Sequence, residues 1–289
     1  CTRRQLIYTS CCPYRHLPIL LLTCLLRRHC LVVDFRDAYS YDLLYGRGND
    51  SVLYAQLVEK IIYKICDTFV VVTPGIKELY AKQFGDSQKI MLVPNGHNIP
   101  TEFLKSLPNV KEKDSLLLVY PGKYAEYYGI DKSIEYMNEI ESALKKTRKK
   151  YSIEFIGTDI LTKKIFHKRN HFKFVPQGDN DKRIPYLDTI KELNKANFAF
   201  CPILSEYGFA TKISDYLAVG LPIYDIYEQE HSIRKMIGQR LFSDLNHIPE
   251  FPKDYQGVYH RKNQMKPLVE YLMKKLNQIN DPGIHGMDK

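Results

Sequence analysis

The residues best suited to bind or act on a ligand are the polar ones in the first turn of a short predicted helix near residue 211. Residues 211–222 read TKISDYLAVGLP, and we predict a helix that ends at Gly220. Thr211 and Lys212 lie in its first turn, and Asp215 follows one turn later on the same face. Unpaired N–H groups and the positive end of the helix dipole favour phosphate there, Lys212 adds charge, and Asp215 could accept hydrogen bonds from a ribose. The structural alternative is that Thr211 only caps the helix.

A second candidate anion site follows a predicted strand over residues 116–120. The strand leads into Pro121, Gly122 and Lys123. Glycine lets the backbone approach an anion closely, and lysine supplies a point charge for phosphate. An ordinary turn with a surface lysine remains the alternative for these residues alone.

The cysteines argue against a metal site or a disulfide framework. The chain has seven, an odd number, and none forms a C-x-x-C pair. We therefore expect reduced thiols, a cytoplasmic protein and no zinc site.

The formal charge of +9 favours anionic partners without choosing among them. No nucleic-acid-binding motif is present, and the basic residues are not interleaved with aromatic ones. We therefore expect no nucleic-acid partner.

Continuous apolar runs that alternate with helical patterns predict an α/β protein with parallel sheets. The first predicted series has strands at 6–9, 30–35, 68–73 and 89–94, with helices over 17–26, 52–66 and 74–84. The second has strands at 116–120, 151–156, 172–175, 198–201 and 221–224, with helices over 131–146, 185–194 and 212–219. In such sheets ligands bind beyond the carboxyl ends of the strands.

The two series predict two Rossmann-like domains. We place the first over 1–100, the second over 115–265, and a C-terminal helix and tail over 266–289. Residues 98–114 contain two prolines and little periodicity, which predicts a linker. The second series looks complete at five strands. The first has only three or four, and the chain starts at Cys1, so we expect the first domain to be incomplete.

The Leu-rich run over 17–26 is too short to span a bilayer, which needs about 20 residues. We predict a buried helix. The alternative, a peripheral membrane contact beside Arg27 and Arg28, stays open.

Several segments, taken in order, resemble family-four glycosyltransferases of the GT-B fold. The 211–222 stretch resembles the Lys-x-x-Glu-Tyr-Leu-Ala-x-Gly-x-Pro pattern of their nucleotide-sugar-binding helix. Further similar segments are VDFRD at 33–37, CDTFVVVTP at 66–74, VPNG at 93–96, YPG at 120–122, GID at 129–131 and FIG at 155–157.

This resemblance implies retaining transfer of a sugar from a nucleotide-diphosphate sugar to a glycan or lipid-linked acceptor. It implies no metal and no cofactor besides the sugar nucleotide as co-substrate. Lys212 and Lys123 would hold the diphosphate together with Gly122 and Thr211. Asp215 stands where the family has the glutamate that binds ribose.

The resemblance also places Asn95 and Gly96 at the domain junction, facing the cleft. Besides Asp215, the sequence departs from the family at two further positions. Tyr207 occupies the place of a family glutamate, so neighbouring Glu206 is the candidate catalytic residue. Tyr128 stands where many relatives have a lysine. A non-catalytic binding or scaffold protein with the same fold is therefore the alternative function.

Overall fold

The chain forms two parallel β-sheets flanked by helices. The computed structural model describes residues 4–11, 14, 16–27, 29–41, 51–108, 114–176, 184–203, 207–227 and 230–280. Within these residues, one sheet has four strands and the other has six, and every strand pair is parallel. The predicted α/β class with parallel sheets is confirmed.

The first half contains the smaller sheet. Its elements are β1 (Leu6–Cys11), α1 (Leu17–Arg27), β2 (Cys30–Phe35), a 3-10 turn (Tyr39–Tyr41), α2 (Val52–Ile65), β3 (Thr68–Val71), α3 (Pro74–Phe84) and β4 (Ile90–Leu92). The strands lie in the order β1-β2-β3-β4.

The remaining elements belong to the second half. They are α4 (Thr101–Ser106), β5 (Ser115–Pro121), α5 (Ala125–Tyr128), α6 (Ile130–Lys146), β6 (Lys150–Ile156), α7 (Ile160–Phe166), β7 (Phe172–Val175), α8 (Tyr186–Lys195), β8 (Phe198–Ala199), α9 (Thr211–Ala218), β9 (Ile223–Tyr224), α10 (Ser232–Ile237), a 3-10 turn (Gly238–Arg240), β10 (Leu241–Phe242) and α11 (Arg261–Asn280). The larger sheet has the order β10-β9-β8-β5-β6-β7.

The first sheet is covered on both faces, which explains why its strands are apolar throughout. All residues of β2 are buried. Leu31 and Val33 pack in the core that α1, α2 and α3 share, whereas Val32 packs on the opposite face against Leu268 of α11. Alternate residues of a strand point to opposite faces of the sheet. A strand that is buried on both faces must therefore be apolar at every position.

The order of the larger sheet creates a crevice at its centre. Strand β5 lies between β6 and β8, so the direction in which successive strands are added reverses at β5. Connections on either side of such a reversal run to opposite faces and leave a crevice at the carboxyl ends of the strands. The segments that follow β5 and β8 therefore border this crevice.

Helix α1 is buried along one face only. Leu17, Leu21 and Cys24 are buried, while Ile19 and Leu22 are exposed. The prediction of a buried helix is confirmed for its inner face. Within the described residues, no helix is both long and apolar enough to cross a membrane.

The structure corrects three expectations. The larger sheet has a sixth strand, β10, which lies outside any longer apolar run because its two residues stand between Arg240 and Ser243. The segment predicted as an irregular linker contains α4, and Leu104 is fully buried in the core of the larger sheet. The C-terminal helix starts at Arg261 rather than at 266, and it packs on the first sheet. Short elements whose burial comes from distant parts of the chain lack a visible period.

Candidate functional site

Helix α9 begins next to the central crevice, and no side chain of the described residues caps its first amides. The helix starts at Thr211, and its N-cap residue, Ala210, makes no side-chain hydrogen bond to the first turn. Thr211 is the first helical residue rather than the N-cap, so the alternative that it caps the helix is wrong. An uncapped N-terminus presents free N–H donors and the positive end of the helix dipole, which together favour an anion.

Lys212 extends from this helix start to the end of strand β5. Its Nζ lies 3.7 Å from the centroid of the Tyr120 ring. The same Nζ is 3.9 Å from the place where a Cβ on Gly122 would stand. Gly122 has a φ of 87°, and its N–H donates to the carbonyl of Ile156 at 2.7 Å. Gly122 therefore leaves room beside the ammonium group, while its own amide completes the sheet.

The ammonium group of Lys212 has no polar partner among the described residues. It forms no salt bridge or hydrogen bond there, and the aromatic face of Tyr120 is its closest described contact. Burial lowers the pKa of Lys212 to about 8, and the neighbouring Cys201 and Asp215 oppose that shift. A partly buried cation without a carboxylate partner is a site where an anionic ligand gains strong electrostatic stabilisation.

Asp215 lies one turn further along α9 and is held from a neighbouring helix. The hydroxyl group of Tyr186, at the start of α8, donates to Asp215 Oδ1 at 2.5 Å. Burial raises the pKa of Asp215 to about 6, while the hydrogen bond from Tyr186 and the charge of Lys212 lower it. The carboxylate is therefore oriented, and its other oxygen, Oδ2, remains as an acceptor.

Lys123 lies outside this cluster. Its side chain is 60% exposed and forms a salt bridge with Glu126 at 2.6 Å. Tyr128 is buried, donates to the carbonyl of Pro202 and meets the hydroxyl of Tyr120 at 3.2 Å. Tyr128 thus links the end of β5 to the segment after β8 through buried hydrogen bonds. Of the predicted donor-binding residues, Gly122, Lys212 and Asp215 lie together, and Lys123 is already paired.

Asn95 joins the two halves of the molecule. Its Nδ2 donates to the carbonyl of Phe209 at 3.5 Å, and its Oδ1 accepts from Arg36 at 3.2 Å. Gly96, in contrast, packs against the segment that leads into α11. A Cβ there would lie 2.7 Å from the Tyr259 oxygen and from backbone atoms of Arg261. The predicted position of Gly96 facing the cleft is therefore wrong, because the returning chain covers it.

Tyr207 links the loop before α9 to the first sheet. Its carbonyl accepts from Thr73 Oγ1 at 2.8 Å, and its ring meets the edge of Tyr41 at 5.7 Å. Thr73 also caps helix α3 through Ile76. Glu206, the predicted catalytic residue, lies outside the described residues.

Sequence reasoning missed Tyr120 and Tyr186. Tyr120 ends an apolar strand and reads as a core residue, while Tyr186 starts a helix and reads as surface. Only the convergence of β5, α8 and α9 brings both rings to Lys212 and Asp215. No group of three histidine, cysteine or acidic side chains is arranged for a metal within the ranges that the structure describes.

The comparisons show which known structures share this fold. No protein-family model matches the chain, and no curated protein matches its sequence. The chain is similar to the apo form of the lipopolysaccharide outer core galactosyltransferase WaaB, with a TM-score of 0.61 and 12% identity over 93% of this chain and 75% of that one.

Two further structures bind a nucleotide sugar. HepE from Anabaena in complex with UDP-glucose has a TM-score of 0.53 and 10% identity, over 96% of this chain and 78% of that one. The UDP-GlcNAc 2-epimerase of Neisseria meningitidis bound to UDP-GlcNAc has a TM-score of 0.51 and 12% identity, over 93% and 76%. The chain therefore has a fold of the GT-B type, which transferases and an epimerase share.

Proposed function

We propose that this protein is a glycosyltransferase that moves a sugar from a nucleotide-diphosphate sugar to a glycan or lipid-linked acceptor. One observation carries the proposal: the ammonium group of Lys212, which has no ionic partner among the described residues, lies beside Gly122 at the start of α9. The crevice at a strand-order reversal is where open α/β sheets bind nucleotides. The likeness to the galactosyltransferase WaaB supports transfer as the reaction, and the likeness to HepE in complex with UDP-glucose supports a nucleotide sugar as the donor.

Lys212 and the first amides of α9 hold the diphosphate in this proposal. During transfer the bond from the anomeric carbon to the diphosphate oxygen breaks and a bond from that carbon to an acceptor hydroxyl oxygen forms. The hydroxyl proton passes to the departing phosphate or to water, and negative charge develops on the leaving phosphate as its bond breaks. A fixed cation and oriented amides stabilise that charge without reorganising. Asp215 accepts hydrogen bonds from the ribose. We propose that these groups make a metal unnecessary, that the sugar configuration is retained, and that the enzyme works in the cytoplasm.

Nucleotide binding tests the site directly. We would measure thermal shifts with UDP, GDP, ADP and CDP for the wild type, Lys212→Ala and Lys191→Ala. Lys191 is an exposed lysine of α8 paired with Asp188, so its variant controls for loss of one charge. A nucleotide at about 100 times its Kd adds about 2.7 kcal/mol of stability. We expect one nucleotide to raise the Tm of the wild type and of Lys191→Ala only, and no shift in any cooperatively melting protein would refute the site.

A non-catalytic binding or scaffold role is the second candidate. It is favoured by two observations: Tyr128, at a family lysine position, is buried, and Lys123 is engaged with Glu126. Incubation with the sugar nucleotide of the matching base, followed by NMR, separates the candidates. Transferred or released sugar indicates a transferase, and an inverted centre within the sugar indicates an epimerase. Binding with no product supports the scaffold role.

A further inference from the structure

A groove between helices α2 and α3 lies on the first half of the molecule. We call it the α2–α3 groove and define it by Tyr41, Leu57, Lys60, Leu79, Lys82 and Tyr207; its volume is about 690 Å³. Ligand pockets commonly have volumes of about 300–1,000 Å³, with apolar walls and a few polar groups.

The groove carries unpaired positive charge. Lys60 on α2 and Lys82 on α3 both line it. Neither ammonium group forms a salt bridge or hydrogen bond within the part of the chain that the structure describes. Glu78, the acidic residue of the lining, is already paired with Lys235 at 2.6 Å. The groove therefore presents two available cations and selects for an anionic ligand.

Neutral donors and acceptors complete the lining. Gln83 Nε2 donates to the buried carboxylate of Glu59 at 3.1 Å, whereas Gln83 Oε1 is buried and has no described hydrogen-bond partner. Glu59 also accepts from the backbone and side chain of Ser40 at 2.9 and 2.7 Å, next to Tyr41. Gln83 therefore ties the groove wall to the buried carboxylate of Glu59.

Tyr207 connects the groove to the nucleotide site. It lies five residues before Lys212, and five residues span at most about 18 Å. Its carbonyl is anchored by Thr73, and the next anchored carbonyl is that of Phe209, which accepts from Asn95. The loop that leads to Lys212 thus also forms one wall of the groove.

We propose that the α2–α3 groove binds the acceptor, and that the acceptor is an anionic glycan with carboxylate or phosphate groups. This inference rests on the proposed function. The anionic groups contact Lys60 and Lys82, and the rings of Tyr41 and Tyr207 border the sugar faces. Leu57 and Leu79 supply the apolar surface on which the less polar faces of sugar rings pack.

Calorimetric binding of two tetrasaccharides tests this assignment. The probes are tetragalacturonate, which is anionic, and maltotetraose, which is neutral. The proteins are the full chain, the double variant Lys60→Glu/Lys82→Glu, and the control Lys64→Glu/Lys77→Glu. The control changes the net charge equally on the same two helices, and neither of its residues lines the groove.

We expect tetragalacturonate to bind the wild type and the control with similar affinity, and maltotetraose to bind more weakly. The groove variant should bind tetragalacturonate about tenfold or more weakly, because each substitution replaces attraction with repulsion. Equal affinity for both sugars, or equal loss in both double variants, would overturn the assignment. Circular dichroism before each titration ensures that only folded variants are compared.

Nucleotide titration separates failure of this inference from failure of the proposed function. Nucleotide binding without tetragalacturonate binding refutes the groove assignment and leaves the nucleotide site intact. Tetragalacturonate binding without nucleotide binding refutes the acceptor role. In Lys212→Ala we expect nucleotide binding to be lost and tetragalacturonate binding to remain within about twofold of the wild type.

Discussion

The Nζ of Lys212 lies 3.7 Å from the centroid of the Tyr120 ring, at the carboxyl end of the central strand β5. A cation over an aromatic face is held mainly by the ring quadrupole, and this contact leaves its N–H donors unused. The contact therefore fixes where the charge lies without neutralising it. This arrangement gives the nucleotide site its electrostatics, and the following expectations start from it.

Lys212→Met is expected to stabilise the free protein while removing nucleotide binding. Burial lowers the pKa of Lys212 from 10.5 to about 8, so the folded state disfavours the charged ammonium at pH 7. Removing that charge should raise the free energy of unfolding by about 1–2 kcal/mol, since the site keeps partial access to water. Urea denaturation at pH 7 measures this change.

The pH dependence of the free energy of unfolding tests whether the pKa of Lys212 is lowered in the folded protein. The unfolded chain binds the lysine proton more tightly than the native protein does. The free energy of unfolding of the wild type should therefore rise between about pH 8 and 10, and this rise should be absent in Lys212→Met. Lys191→Met is the control, and its free energy should stay within about 0.5 kcal/mol of the wild type.

Nucleotide affinity is expected to be highest between about pH 6 and pH 8. Lys212 is protonated below its pKa of about 8, and the diphosphate requires that charge. Asp215 is ionised above its pKa of about 6, and the ribose hydroxyls require that acceptor. Calorimetric Kd values measured from about pH 5 to about pH 9 should therefore show affinity falling below pH 6 and above pH 8, and a flat profile would contradict both assignments.

Tyr186→Phe should shift only the low-pH side of the profile of nucleotide affinity against pH. The lost hydroxyl group donates to Asp215 Oδ1 and stabilises the ionised carboxylate. Without it the pKa of Asp215 rises, so affinity should begin to fall at a higher pH while the high-pH side of the profile stays in place. The same titration on the variant measures the shift, and movement of both sides would instead indicate a general structural change.

Gly122→Ala should weaken nucleotide binding more than it weakens the fold. Its φ of 87° is unfavourable for alanine, at a cost of about 1–2 kcal/mol. The added methyl group would also stand 3.9 Å from Lys212 Nζ, in the space proposed for phosphate. Gly85→Ala, at the end of α3, is the matched control, because the φ of Gly85 is 75° and an added Cβ there would meet no atom within 4 Å. We expect similar Tm losses and an approximately tenfold weaker Kd only for Gly122→Ala.

Gly96→Ala should lower stability and leave nucleotide affinity unchanged. The new Cβ would lie 2.7 Å from backbone atoms of Tyr259 and Arg261, which would push the start of α11 away. Overpacking of this kind typically costs about 1–3 kcal/mol. Gly238→Ala, whose Cβ would meet open space, is the control. A selective loss of nucleotide affinity in Gly96→Ala would instead support the sequence-based prediction that Gly96 faces the cleft.

The sequence by itself determined the α/β class and the main elements. Buried parallel strands such as β2 must be apolar at every position, and Thr73, Pro74 and Gly85 mark both ends of α3 through local hydrogen bonding and φ preferences. The helix with Lys212 and Asp215 was also visible, because its residues are close in sequence. The short elements α4 and β10 were not visible, since each offers only two adjacent apolar residues flanked by polar or charged ones.

Only the tertiary structure decided which polar residues meet. Lys212 and Lys123 are the same residue type next to predicted anion sites, yet one lies over Tyr120 without an ionic partner and the other is paired with Glu126. Gly96 was expected in the cleft but lies against Arg261, which is 165 positions later in the chain. Strand order and the return of α11 bring residues together across long sequence separations. A local sequence pattern does not indicate which distant residues will meet, so only the tertiary structure identifies the partner of each side chain.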